Sequence, residues 1–195
     1  EMPVMFLMDR FGYAKTIDMP TYERNKEAAD SENKYVFPCI NTGRICVFTD
    51  TGRLHTIKVL DLPFGRFRDK GVPIDNFSNY NSTEEQLVGI GSMEALKERK
   101  LIFATKGGML KIVDGSEFET GKRTVAATKL GEEDKVLLVE PVEGSEQLVL
   151  QSREGYFLRF SISEIPEKKK GAIGVRGMRL GTDDCLEAAY LYQTG

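Results

Sequence analysis

Apolar and polar positions follow one pattern that returns four times along the chain. Each time an apolar run precedes a polar turn with Gly at its fourth position, and an alternating run follows. The first copy is Val4–Met8, the turn Asp9-Arg10-Phe11-Gly12, then Tyr13–Ile17. The second is Ile45–Phe48, Thr49-Asp50-Thr51-Gly52, then Arg53–Ile57. The third is Leu101–Ala104, Thr105-Lys106-Gly107-Gly108, then Met109–Ile112. The fourth is Leu148–Gln151, Ser152-Arg153-Glu154-Gly155, then Tyr156–Phe160. Each copy predicts a β-hairpin, so hairpins are expected near 4–17, 45–59, 101–113 and 148–162. A continuous apolar strand is buried on both faces, and an alternating one has a solvated face. The turn Gly supplies the positive φ of a tight hairpin, and Asp, Thr or Ser at the first turn position can bond the local backbone. The turn glycines are 40, 56 and 47 residues apart. Regular self-similarity at that period is the mark of a repeat architecture.

A second element recurs between the hairpins. Gly174-Val175-Arg176-Gly177-Met178-Arg179-Leu180-Gly181 precedes Asp184 and the apolar run Leu186–Leu191. Thr124–Gly131 precedes Asp134 and Val136–Val139, and Gly71–Phe77 precedes Leu87–Ile90. The first repeat has Thr21–Asn33 in that place, a polar segment expected to be a loop. Only Ser92–Lys100 carries a short helical pattern. About four strands per unit is the size of a propeller blade. The chain is therefore expected to be one all-β domain over residues 1–195, propeller-like, with about four blades of mostly four antiparallel strands. It ends on a strand and begins on a hairpin lacking one. Asp184–Tyr192 is thus expected to complete the sheet of Val4–Met8 and close the ring.

Composition narrows the chemistry. The apolar fraction is 41% and the charged fraction 29%, as in ordinary globular proteins. No apolar run approaches the ~20 residues of a membrane helix. Cys39, Cys46 and Cys185 read as reduced thiols, small buried hydrophobes without a disulfide framework. With His55 the only histidine, no metal site is expected. The net charge is −3, but it is segregated. Residues 130–146 hold six acidic side chains against Lys135, a local −5; residues 151–180 hold seven basic against three acidic, a local +4. Segregated charge can give an acidic protein a basic face.

Together these units resemble the C-terminal domain of the A subunit of bacterial type IIA DNA topoisomerases, the gyrase A and topoisomerase IV A family. Gly174–Leu180 after Lys168-Lys169-Lys170-Gly171-Ala172 carries the resemblance best, and Lys70-Gly71-Val72-Pro73-Ile74-Asp75-Asn76-Phe77 carries it second. The resemblance spans essentially the whole chain. It implies a β-pinwheel, a propeller variant whose blades exchange strands, usually in five or six blades, with a positively charged rim that bends duplex DNA. It implies a bacterial, cytoplasmic, nucleoid-associated protein. Its partners would be the remaining A-subunit domains and the ATPase B subunit, and its nucleophilic Tyr would lie outside this chain. The basic heptapeptide Gln-Arg-Arg-Gly-Gly-Lys-Gly of gyrase members is absent, which with the acidic balance inclines the resemblance toward a topoisomerase IV-type subunit or a truncated gyrase domain.

Non-specific duplex binding needs cations spaced along a surface, because phosphate neutralisation and counterion release supply the affinity. One basic cluster per unit offers that spacing. The candidates are Lys168, Lys169, Lys170, Arg176 and Arg179, then Lys122, Arg123 and Lys129, then Arg66, Arg68 and Lys70. Taken singly, such runs are solvated loops; recurrence at equivalent positions sets them apart. Phe11, Phe48, Phe103, Tyr156, Phe157 and Phe160 are read as blade packing, Asp9, Asp50, Asp134 and Asp184 as turn ligands, and His55 as structural or surface. No Walker loop, dinucleotide fingerprint or nucleophile elbow is present, so neither a cofactor nor a catalytic residue is expected. The alternative is a protein-interaction propeller that does not bind DNA.

Overall fold

The apolar runs all become strands. The computed structural model describes residues 1–194. In chain order, β1 (Pro3–Met8), β2 (Tyr13–Asp18), α1 (Met19–Arg24), α2 (Lys26–Glu32) and β3 (Tyr35–Ile40) make the first unit. β4 (Arg44–Thr49), β5 (Arg53–Lys58), β6 (Val72–Pro73) and β7 (Leu87–Ser92) make the second. After α3 (Met93–Leu96) come β8 (Lys100–Thr105), β9 (Met109–Asp114), β10 (Thr124–Ala126) and β11 (Val136–Val142). β12 (Gln147–Ser152), β13 (Phe157–Ser161), β14 (Val175–Arg176) and β15 (Leu186–Tyr192) complete the chain.

The four turns are equivalent. Gly12, Gly52, Gly108 and Gly155 have φ of 88°, 82°, 88° and 97°, a region closed to most L-residues. Each glycine N–H donates to the carbonyl three residues earlier, on Asp9, Thr49, Thr105 and Ser152. Side-chain oxygens at that first position finish three of the turns. Asp9 accepts from the Phe11 and Tyr13 N–H groups, Thr105 from Met109, and Ser152 from Tyr156. The later Asp of a unit pins its own turn: Asp134 accepts from Gly107 N–H at 2.8 Å and Asp184 from Glu154 N–H at 3.1 Å.

The sheet orders are β3-β1-β2-β6, β7-β4-β5-β10, β11-β8-β9-β14 and β15-β12-β13. Each hairpin is thus joined on its first strand by the last strand of its own unit. In the first three sheets the second strand is joined by a short strand from the next unit. The strands β3, β7, β11 and β15 touch one another in succession and form the inner row. The exchanged strands β6, β10 and β14 lie at the opposite edge of their sheets.

Aromatic packing fills the space between blades. Phe48 of the second blade meets Phe103 of the third edge-on at 6.0 Å and Phe118 at 5.1 Å. All three are almost fully buried, each worth about 1.5–3 kcal/mol of transfer free energy.

Three expectations are corrected. β15 does not join β1. It pairs with β12 from Gln147↔Tyr192 to Ser152↔Leu186, while β1 is taken by β2 and β3. Each unit therefore supplies its own inner strand, and β15 serves the fourth sheet rather than the first. Thr21–Asn33 is not a loop but lies within the α1–α2 pair, whose first helix is capped by Asp18 accepting from Thr21 N–H. Tyr22 and Ala29 anchor this pair against Met5, Leu7 and Ile17. Finally, the second strands do not share one solvated face. β5 and β9 are buried along their middle four residues because exchanged segments cover them. β13, with no fourth strand beside it, is exposed or half-buried throughout. For the same reason Tyr156 and Phe157 are 65% exposed, and Phe11, at a turn tip, is 71% exposed; none of the three packs a blade.

Candidate nucleic-acid interface

Each exchanged strand is preceded by a basic loop, so strand exchange decides where the cations stand. The loop first runs beside the second strand of the preceding blade. Thr16 N–H donates to Pro63 O, Thr56 N–H to Arg123 O, and Ile112 N–H to Pro166 O. These three acceptors follow equivalent routes, since Thr16, Thr56 and Ile112 all lie four residues after their turn glycine. In the first and third blades the chain then turns back, in the second it runs straight on, and all three segments pair antiparallel with the same strand, at Val72↔Ala14, Val125↔Leu54 and Val175↔Leu110. Three blades thereby carry a basic segment at one station on their outer edge.

The predicted cations are displayed there. Lys168, Lys169, Arg176 and Arg179 are exposed, as are Lys122, Arg123, Lys129, Arg66, Arg68 and Lys70. Lys170 is half-buried, with its N–H donating to Glu117 Oε1 at 3.0 Å. Arg66 is drawn into a 3.2 Å pair with Asp69, and Arg123 Nε donates to Asn79 Oδ1 at 3.3 Å. Apart from Arg66, none of these cations has an ion pair among the described residues. The loops bring each cluster together locally, and the second and third segments meet where Thr128 Oγ1 donates to Ala172 O at 3.3 Å.

Beneath the loops lie residues that pattern reading missed. The third residue after the turn glycine is Lys15, His55, Lys111 and Leu158 in the four units. Lys111 is 1% exposed, and its Nζ donates to the carbonyls of Lys169, Lys170 and Ala172 at 3.1, 3.0 and 2.7 Å. It also stands 5.2 Å from the Phe103 ring centroid. Burial pulls this ammonium down to about 8, partly offset by Glu117, so it stays largely charged at neutral pH. Lys15 donates to the carbonyls of Phe67 and Asp69, the second at 2.7 Å. His55 is 2% exposed, with Nε2 2.9 Å from Glu85 Oε2 and Nδ1 2.8 Å from Thr124 Oγ1. Burial alone would raise the Glu85 carboxyl. Hydrogen bonds from threonine side chains and the Asn81 backbone, with His55 beside it, hold it below the usual range. The signal for these residues is positional equivalence to the turn glycine, which composition does not reveal.

Other chemistry is sparse. Burial pushes the Cys39 and Cys46 thiols up to about 12, in keeping with small hydrophobes. Among the described residues no group of three or more His, Cys, Asp and Glu could hold a metal, and no helix is long and apolar enough to cross a membrane. A depression on the inner strands is lined by both signs of charge, among them Lys34, Lys106, Asp50, Glu140 and Glu187.

Known proteins share this organisation. A family model described as the DNA gyrase C-terminal domain, beta-propeller, matches residues 99–143 and 146–190, the third and fourth units. The DNA gyrase A subunit of Lawsonia intracellularis is 29% identical over 202 residues, covering 97% of this chain and 24% of its own length. The DNA topoisomerase 4 A subunit of Streptococcus pneumoniae is 27% identical over 180 residues, covering 89% of this chain and 22% of its own. The chain thus spans about a quarter of the length of these relatives. The crystal structure of a C-terminal domain of DNA topoisomerase IV superposes with a TM-score of 0.86 at 22% identity, over 98% of this chain and 62% of that one. That likeness shows a shared fold. The third and fourth units thus match the gyrase C-terminal β-propeller domain, and nearly the whole chain is similar in sequence to gyrase A and topoisomerase 4 A subunits.

Proposed function

We propose that this domain binds duplex DNA without sequence choice along its outer rim, bending a segment while other domains of a type IIA topoisomerase cut, pass and reseal strands. One observation carries the reading: strand exchange sets a basic loop at the same station on three successive blades. Cations repeated along a curved edge fit the phosphate backbone and carry no base-reading geometry. The net charge of −3 limits the affinity, since acidic loops such as Glu132–Asp134 repel phosphate. Weak, salt-sensitive binding is expected. In this reading the nucleophile and the ATPase belong to the remaining A-subunit domains and the B subunit, and the setting is the bacterial cytoplasm.

A protein-interaction reading has one observation in its favour, the exposed row Tyr156, Phe157 and Leu158 on and beside β13. Titration of the 195-residue chain with duplexes of unrelated sequence, at several salt concentrations, separates the two. Binding that weakens steeply with salt and ignores sequence supports the rim. No binding at low salt removes it and leaves the interaction reading.

A further inference from the structure

Two of the rim loops are built to one plan. Pro63 to Val72 and Pro166 to Val175 are both nine-residue steps, and both begin at the carbonyl bonded by the residue four past a turn glycine. The second segment, by contrast, passes from Arg123 beside Thr56 to Thr124 opposite His55 with no excursion between. Only the two long loops have a lysine beneath them. Lys15 bonds the fourth and sixth carbonyls after Pro63, on Phe67 and Asp69. Lys111 bonds the third, fourth and sixth after Pro166, on Lys169, Lys170 and Ala172.

We infer that Lys111, and Lys15 at the same station, are positioning residues that hold the long rim loops by their backbone carbonyls and so aim the loop cations outward at phosphate. The DNA clause rests on the duplex-binding reading above. The physical need is plain. A nine-residue excursion cannot satisfy its carbonyls with its own ladder, and a segment with Lys168, Lys169 and Lys170 in a row repels itself. An ammonium has three donors and no acceptor, and three carbonyls around Lys111 use all of them. Holding the loop by its backbone leaves the lysine side chains free. The Lys111 side chain is too deeply buried to touch DNA itself, so any effect it has on binding passes through the loop.

The test uses the whole chain and Lys111→Met, which keeps the stem's bulk and removes the donors. Amide exchange at Lys170 and Ala172, whose N–H groups bond Glu117 and Lys169 O, should quicken by about ten-fold or more while Leu101–Ala104 stay protected. Affinity for a duplex at low salt should fall about five-fold. In a Lys168→Ala/Lys169→Ala background the same substitution should change affinity by less than about two-fold, because its effect runs through those side chains. A role in sheet stability alone would give additive losses and deprotect the strands too. Unchanged exchange at Lys170 and Ala172 overturns the inference. Additive effects in the cycle overturn the link to DNA. If Lys111→Met does not fold, Lys15→Met reports the same design through the Asp69 amide, which donates to Arg66 O. If the unmodified chain binds no duplex, the DNA clause falls with the reading beneath it, and amide exchange alone decides whether the lysines hold the loops.

Discussion

Replacing Lys168, Lys169, Arg176 and Arg179 together by Ala tests the rim most directly. All four are exposed, none has an ion pair among the described residues, and they belong to the loop and exchanged segment on the edge of the third blade. If each neutralises one phosphate, the four contribute roughly −3.6 to the slope of log affinity against log salt, at about −0.9 per phosphate. Between about 50 and 200 mM salt that slope alone costs roughly 150-fold in affinity, so the loss is easy to read. Lys170 is kept because it is half-buried, so its replacement would disturb packing as well as charge. Four exposed substitutions should each change stability by about 0.5 kcal/mol or less, and a urea titration checks that the sheets survive. The assay is fluorescence anisotropy with two duplexes of unrelated sequence over a salt series. The slope should flatten by about two to four, according to how many of the four contacts form, and both duplexes should weaken equally. A variant that keeps the unmodified slope refutes the assignment of these residues. So does one that loses affinity for only one duplex, since phosphate contacts carry no sequence information.

Other outcomes follow from the fold. Gly174→Val forces a β-branched residue to φ 106° and puts its Cβ 2.5 Å from Leu110 O, so β14 should undock; urea denaturation should show a loss of about 2 kcal/mol or more. Phe48→Ala empties the space shared with Phe103 and Phe118 between two blades, and should cost about 3–5 kcal/mol in the same assay. Glu85 is held below its ordinary carboxyl range in the folded state, so its contribution is present above the unfolded value and is lost as pH falls through the folded one. Glu85→Gln should therefore be less stable than the unmodified chain at neutral pH, with the gap in urea midpoint closing as the solution is acidified below the ordinary carboxylate range.

Much of this protein could be read from its residues. The hairpins follow from apolar runs broken by a Gly-ended turn, because a tight turn with positive φ admits few other residues. The all-β class and the repeat follow from four copies of that local rule, and the basic loops from charge placed at one phase of the repeat. Ser92 as a cap and Met93 and Leu96 as an apolar face mark α3. Thr21–Asn33 was not legible, because its helices are short and rest on Tyr22 and Ala29 packing into the first blade. What only the tertiary structure decided is which segment joins which sheet. Short strands of two or three residues, such as β6 and β14, carry almost no periodicity of their own, and their pairing depends on a loop reaching back to the preceding blade. That reach buries β5 and β9, leaves Tyr156 and Phe157 uncovered beside β13, and denies β15 any role with β1. It also sets Lys15, His55 and Lys111 under the rim. A buried lysine and a solvated one look alike in a sequence; the carbonyls that surround Lys111 come from residues 58 to 61 positions away, and only the folded chain brings them to it.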